Sequence, residues 1–88
     1  MALQFDPDAL ADIPRQDIDR IMKKIEWLWQ NRDVVPHECL NENLSGFCKK
    51  RLGKYRIIYT YDDNSDNMLI HMVGLRDTIY YDAARRYS

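Results

Sequence analysis

The sequence predicts a two-layer α+β domain, with helices packed on an antiparallel sheet of about four strands. Three observations carry this. The 88 residues suffice for a single domain spanning 1–88. An apolar stripe at helical spacing lies in the first half, and the second half reads as β-prone runs joined by short polar links.

The elements follow in order. Residues 2–5 (ALQF) suit a short strand. Asp6-Pro7 reads as an N-cap with Pro at the first helical position, so a short first helix is expected there. Pro14 breaks it and opens a second helix, completing a helical hairpin over 7–32. In the second helix Ile18, Ile21, Met22, Ile25, Leu28 and Trp29 recur at i, i+3, i+4, i+7, i+10 and i+11 and form one stripe. Trp27 points the other way; it either packs on the first helix, the favoured reading, or is exposed as a partner surface. Residues 31–46 make a polar connection. Residues 47–51 (FCKKR) form a short alternating strand, and a tight turn is centred on Gly53. Residues 55–61 (YRIIYTY) are strongly β-prone. Residues 62–67 (DDNSDN) join them to a buried strand over 68–74, and the rest is a short helix or an irregular tail.

Composition narrows the class. No stretch is long and apolar enough to span a membrane, and the start lacks the basic and apolar regions of a secretion signal, so a cytoplasmic protein is expected. Cys39 and Cys48 are too few for a disulfide framework and read as reduced thiols. Beside them only His37 and His71 offer soft ligands, without paired spacing, so no metal or other cofactor is expected.

Charge is uneven. Residues 1–46 hold five Lys/Arg against nine Asp/Glu, and residues 47–88 hold eight against five, within a net charge of −1. Five of the cations fall within 47–56, which contains no anion. On alternating strands Phe47, Lys49 and Arg51 share one face and Cys48, Lys50 and Leu52 the other. Arg56 lies with Ile58 and Thr60, so Lys49, Arg51 and Arg56 gather on one side if the register allows. Gly74 lets the chain bend before Arg76, with Tyr80 and Tyr81 soon after. Cations and an aromatic ring around one concavity suit RNA, through phosphate neutralisation and base stacking. A charged edge strand that blocks aggregation is the other reading.

The stretch NLSGFCKKRLGKYRIIYTYDD, followed by VGLRDTIY, closely resembles the RelE/ParE toxin superfamily of type II toxin–antitoxin systems. That family shows a Leu-x-Gly element, a basic strand, a Gly turn into Tyr-Arg-Ile-Ile-Tyr, then Val-Gly-x-Arg and a late Tyr. The strong part covers residues 44–80. The resemblance implies a RelE-like fold, with an N-terminal strand and helical hairpin packed on the sheet. It implies either a metal-independent endoribonuclease cutting mRNA in the ribosomal A site, as in RelE-like members, or a DNA gyrase inhibitor, as in ParE-like members. A degenerate, non-toxic member is a third reading. It also implies a cognate antitoxin that lays an amphipathic segment over the toxin, and operator DNA contact only through that complex.

Residue by residue, the RelE-like catalytic positions fall at Lys49, Arg56, Arg76 and Tyr80. Arg51, Lys50, Lys54 and Tyr81 are the expected RNA- or phosphate-binding set, with Tyr81 the fallback for Tyr80. Retention of this constellation favours the ribonuclease. Phe47 departs from the pattern, standing where the best-known member has a lysine. In the implied reaction the 2′-hydroxyl attacks the adjacent phosphorus. Crowded cations disfavour a protonated lysine, so Lys49 is the candidate base, with Tyr80 as second candidate or as a stacking ring. Arg51 and Arg56 clamp the phosphate. Arg76 stabilises the leaving oxygen, or protonates it as proposed for the family; an unperturbed guanidinium is a poor acid. His71, mid-strand in an apolar run, is expected to be structural.

Overall fold

Residues 1–40 and 44–87 are described by the computed structural model of the chain. Residues 41–43, part of the polar connection expected over 31–46, and residue 88 lie outside the described residues. The elements run β1 (Ala2–Phe5), α1 (Arg15–Gln30), β2 (Glu38–Cys39), β3 (Cys48–Leu52), β4 (Tyr55–Asp62), β5 (Asn67–Leu75) and α2 (Ile79–Tyr87). They build one sheet in the order β1-β5-β4-β3-β2. The α+β class holds. The sheet has five strands and is mixed, because β1 pairs in parallel with β5 while the other neighbours are antiparallel.

The expected first helix is absent as a regular helix. Asp6 does cap locally, its Oδ1 accepting the Asp8 N–H at 2.9 Å. The segment then closes single turns, Ala9 N–H to Asp6 O, Ala11 N–H to Asp8 O and Ile13 N–H to Leu10 O. Two causes suffice. Pro14 pushes Ile13 out of helical geometry. The Ala9 carbonyl is taken by the Val73 N–H at 3.1 Å, docking the segment on the sheet instead of continuing a helix. With no first helix to cover it, Trp27 is 44% exposed, with Lys24 Nζ 4.2 Å and Lys50 Nζ 5.2 Å from its ring centroid.

The α1 stripe lies on one sheet face. Ile21, Ile25 and Leu28 are fully buried, Ile18 and Trp29 partly so, and Met22 sits at the rim. They meet Cys48 of β3, Tyr55, Ile57 and Tyr59 of β4, and Met68, Ile70 and Val73 of β5. Burying a large aliphatic side chain contributes about 1.5–3 kcal/mol, so this face supplies most of the fold's stability. Its ends are tied by polar contacts. Tyr55 Oη donates to Asp17 Oδ2 at 2.5 Å near the start of α1. Past its end Arg32 grips Asp66 with two bonds, at 2.6 and 2.9 Å, and Tyr61 Oη donates to the same carboxylate at 2.8 Å. These bonds hold the Asp66 carboxyl down at about 2.

The second helix of the structure, α2, covers the opposite face, so the helices flank the sheet rather than sharing one side. Ile79 and Ala83 are buried there. A Cβ at Gly74 would meet Ile79 Cδ1 at 2.8 Å, so a larger residue there would have to push the Ile79 side chain aside. Phe47, His71 and Tyr87 stack at 4.8 to 5.7 Å between centroids, and Arg86 pairs with Asp6 at 2.9 Å. The tail is therefore helical because it has an apolar surface to pack on. No helix among the described residues is long and apolar enough to cross a membrane.

His71 sits at the bulge where the β4–β5 register shifts, its Nε2 3.0 Å from Thr60 Oγ1. Burial is the main force holding its pKa below the ordinary 6.5, assisted by Arg86 and opposed by Asp6. A depressed histidine pKa means the unfolded chain takes a proton more readily than the folded one. Stability therefore falls as pH drops through about 6.5 towards the folded value. Thermal melts between pH 7.5 and 5 should show this loss, and His71→Gln, which keeps a polar partner for Thr60, should flatten it; equal slopes would contradict the assignment.

Candidate cationic site on the outer sheet face

The β3–β4 hairpin turns at Gly53, whose φ of +55° suits a residue without a side chain. That turn sets the register. Arg51 opposes Arg56, Lys49 opposes Ile58 and Cys48 opposes Tyr59. Since side chains alternate, Cys48, Leu52, Tyr55, Ile57 and Tyr59 face α1. Lys49, Arg51 and Arg56 face the α2 side together, as the sequence pattern requires.

Arg76 joins this group through its backbone. It follows β5 directly, and its N–H donates to the Lys54 carbonyl at 2.9 Å, docking it against the hairpin turn. Arg51, Lys54 and Arg76 consequently line one open concavity with Gly53, Leu75 and Asp77. Among the described residues the one ion-pair partner of Arg76 Nε is the exposed Asp77, at 3.4 Å, and the Arg76 side chain is 62% exposed. Such a pair is weak in water, so the guanidinium is available to a stronger anion. Arg56 folds back, its Nη1 donating to the carbonyls of Gly53 and Tyr55, each at 2.8 Å.

Tyr80, in the first turn of α2, stands beside Lys49, whose Nζ is 5.6 Å from its ring centroid. Tyr81 carries Arg85 over its ring at 5.6 Å and is 69% exposed. The tyrosine brought to Lys49 is therefore Tyr80. Lys50 is not brought to this face. It extends on the α1 side to Trp27, as its place between Cys48 and Leu52 dictates. Lys54 rims the concavity while its Nζ lies 5.4 Å from the Tyr55 ring.

One neighbour was missed in the sequence. Glu38 of β2 pairs in register with Lys49, and its Oε1 is 3.3 Å from Lys49 Nζ. Lys49 thus has a carboxylate at ion-pair distance in addition to the cations that share its face. The one available signal was an acidic residue in a segment read as plain connection. A two-residue edge strand has too little periodicity to be seen.

Phe47 is structural: with His71 and Tyr87 it forms the aromatic contact under α2. His37 is structural too. Its Nε2–H donates to the Arg32 carbonyl at 2.9 Å, and Nδ1 accepts from Tyr59 Oη at 2.7 Å. Burial raises the Tyr59 pKa well above the ordinary 10. Among the described residues no three His, Cys, Asp or Glu side chains cluster to hold a metal ion.

This arrangement of strand, helix, hairpin sheet and covering C-terminal helix is the fold of the RelE toxins. The chain is similar to a chain of the toxin–antitoxin complex RelBE2 from Mycobacterium tuberculosis, with 24% identity and a TM-score of 0.73 over 85% of this chain and 90% of that one. It is similar to the isolated E. coli RelE toxin at 21% identity and a TM-score of 0.64, covering 96% and 95% of the two chains. A YoeB/ParE toxin from Agrobacterium tumefaciens matches at 12% identity and a TM-score of 0.65, over 86% and 99%. No family model matches the sequence, and no curated protein matches it. At these identities the likeness establishes the fold.

The concavity makes a specific prediction. Titration with inorganic phosphate, followed by NMR, should give saturable shifts at Arg51, Lys54 and Arg76 that weaken with added chloride. Lys50 should not move with them. Equal shifts at Lys50 would show diffuse surface binding instead.

Proposed function

We propose that this protein is the toxin of a type II toxin–antitoxin pair and acts as an endoribonuclease on ribosome-bound mRNA, working in the cytoplasm. The observation that carries the reading is the open concavity at the hairpin turn, lined by Arg51, Lys54 and Arg76, with Arg56 paired opposite Arg51 and the Lys49–Tyr80 contact on the same sheet face. The RelE fold supports it, and several similar structures are toxin–antitoxin complexes, which supports a cognate antitoxin as partner. Contact with operator DNA would come through that complex.

The chemistry is an in-line displacement within the RNA. The 2′-oxygen forms a bond to the adjacent phosphorus as the P–O5′ bond breaks, leaving a 2′,3′-cyclic phosphate and a 5′-hydroxyl. Arg51 and Arg56 neutralise the charge on the phosphorus oxygens. Arg76, at the mouth of the same concavity, stabilises the departing 5′-oxygen, which a guanidinium does more readily than it donates a proton. The 2′-hydroxyl proton passes to the Lys49–Glu38 pair, where the carboxylate supplies the acceptor the basic cluster lacks. Tyr80 offers its ring to a base. Without a histidine acid or base, the intrinsic chemistry is weak. That fits a substrate pre-oriented by the ribosome, with no metal or other cofactor called upon.

Retention of these cations favours the ribonuclease over gyrase inhibition. A cell-free translation assay and a gyrase supercoiling assay, run on the same preparation, separate them. Wild type should arrest translation and leave supercoiling intact, and Arg76→Ala should lose at least tenfold in arrest while staying folded. Inhibited supercoiling would support the gyrase reading. A folded wild type inert in both assays would point to a degenerate member.

A further inference from the structure

Cys39 of β2 and Cys48 of β3 are direct cross-strand partners. The next pair along the ladder is hydrogen-bonded, Leu40 N–H donating to the Phe47 carbonyl at 2.9 Å. Antiparallel ladders alternate, so the cysteines occupy a non-hydrogen-bonded pair, where Cα atoms stand about 4.5 Å apart and side chains are closest. A disulfide spans Cα separations of about 4.4–6.8 Å. Opposed side chains also leave the sheet on the same side. The thiols differ in access: Cys39 is exposed and Cys48 is buried. Burial, with the Cys39 thiol next to it, pushes Cys48 up to about 11. Cys39 is therefore the thiol an outside reagent meets, and Cys48 the one held behind it.

We propose that this pair is a redox-modification site, in which a small-molecule disulfide of the glutathione class converts Cys39 and Cys48 to an intramolecular disulfide. The Cys39 thiolate attacks one sulfur of the reagent, forms a mixed disulfide and expels one thiolate. Cys48, deprotonated as it attacks, bonds to the Cys39 sulfur and expels the second thiolate. Two protein thiols are oxidised, one reagent disulfide is reduced to two thiols, and the protons end on those thiols. Reversible bonds of this kind are the usual form of disulfide in reducing compartments.

The consequence lies one residue away. β2 has only two residues, both exposed, and Glu38 adjoins Cys39 and pairs with Lys49. The disulfide staples this short edge strand and fixes Glu38 at Lys49. Any effect on cleavage rests on the function proposed above; the bond itself does not.

The experiment treats the full chain with oxidised glutathione and reads intact mass. Wild type should lose the mass of two hydrogens and retain no adduct. Cys48→Ser should stop at one glutathione adduct, and Cys39→Ser should react at least tenfold more slowly than wild type. On oxidation the Lys49 amide, in the stapled ladder, should exchange more slowly with deuterium. A wild type that keeps the adduct, stays unmodified, or forms a disulfide-linked dimer overturns the proposal. So does Cys39→Ser reacting as fast as wild type. None of these readouts needs RNase activity, so a failed function leaves this result standing.

Discussion

Arg51 faces Arg56 across the β3–β4 hairpin, and the rest of the molecule depends on that pairing. It fixes which side of each strand is core. A slip of one residue would carry Cys48, Leu52, Tyr55, Ile57 and Tyr59 out to solvent and drive Lys49 and Arg51 against α1. The buried face therefore holds the cations in place, although none of them contributes to the core. Like charges directly opposite one another are unfavourable in a sheet. Arg56 relieves part of this by turning to the Gly53 and Tyr55 carbonyls. The remaining repulsion is a cost in the free protein, and a bound phosphate would remove it. That is the physical case for an anionic ligand on this face.

The far side of the sheet divides its area between binding and packing. One end is cationic and open. The other is closed by α2, whose Tyr87 packs on Phe47 and His71 and whose Ile79 lies against Gly74. Phe47 explains how the chain can lack a lysine there: the position anchors the helix that carries Tyr80 to Lys49. Glu38, arriving from the edge strand, sets a carboxylate beside Lys49. The site thus draws on five separate segments, β2, β3, β4, the residue after β5 and α2.

Much of this was legible in the sequence because period and turn chemistry are local. The stripe from Ile18 to Trp29, the Gly53 turn and the alternation of Lys49, Arg51 and Arg56 all appear as read. What failed was non-local. The Asp6-Pro7 signal marks a cap, yet the Ala9 carbonyl is claimed by Val73, and no helix forms. Of the two places open to Trp27, packing on a first helix or exposure, the missing helix leaves exposure. The parallel pairing of β1 with β5 leaves no mark in either strand. Glu38 and the cysteine pair become visible only when a two-residue strand is placed beside β3.

The most direct measurement is primer extension on mRNA bound to ribosomes, with free mRNA alongside and the chemical ends of the products determined. The account predicts cuts within A-site codons, ending in a 2′,3′-cyclic phosphate and a 5′-hydroxyl, with free mRNA cut far more slowly. Free RNA cut as fast as bound RNA would contradict the claim that the ribosome completes a weak site. Absence of any cut by folded protein would contradict the ribonuclease itself.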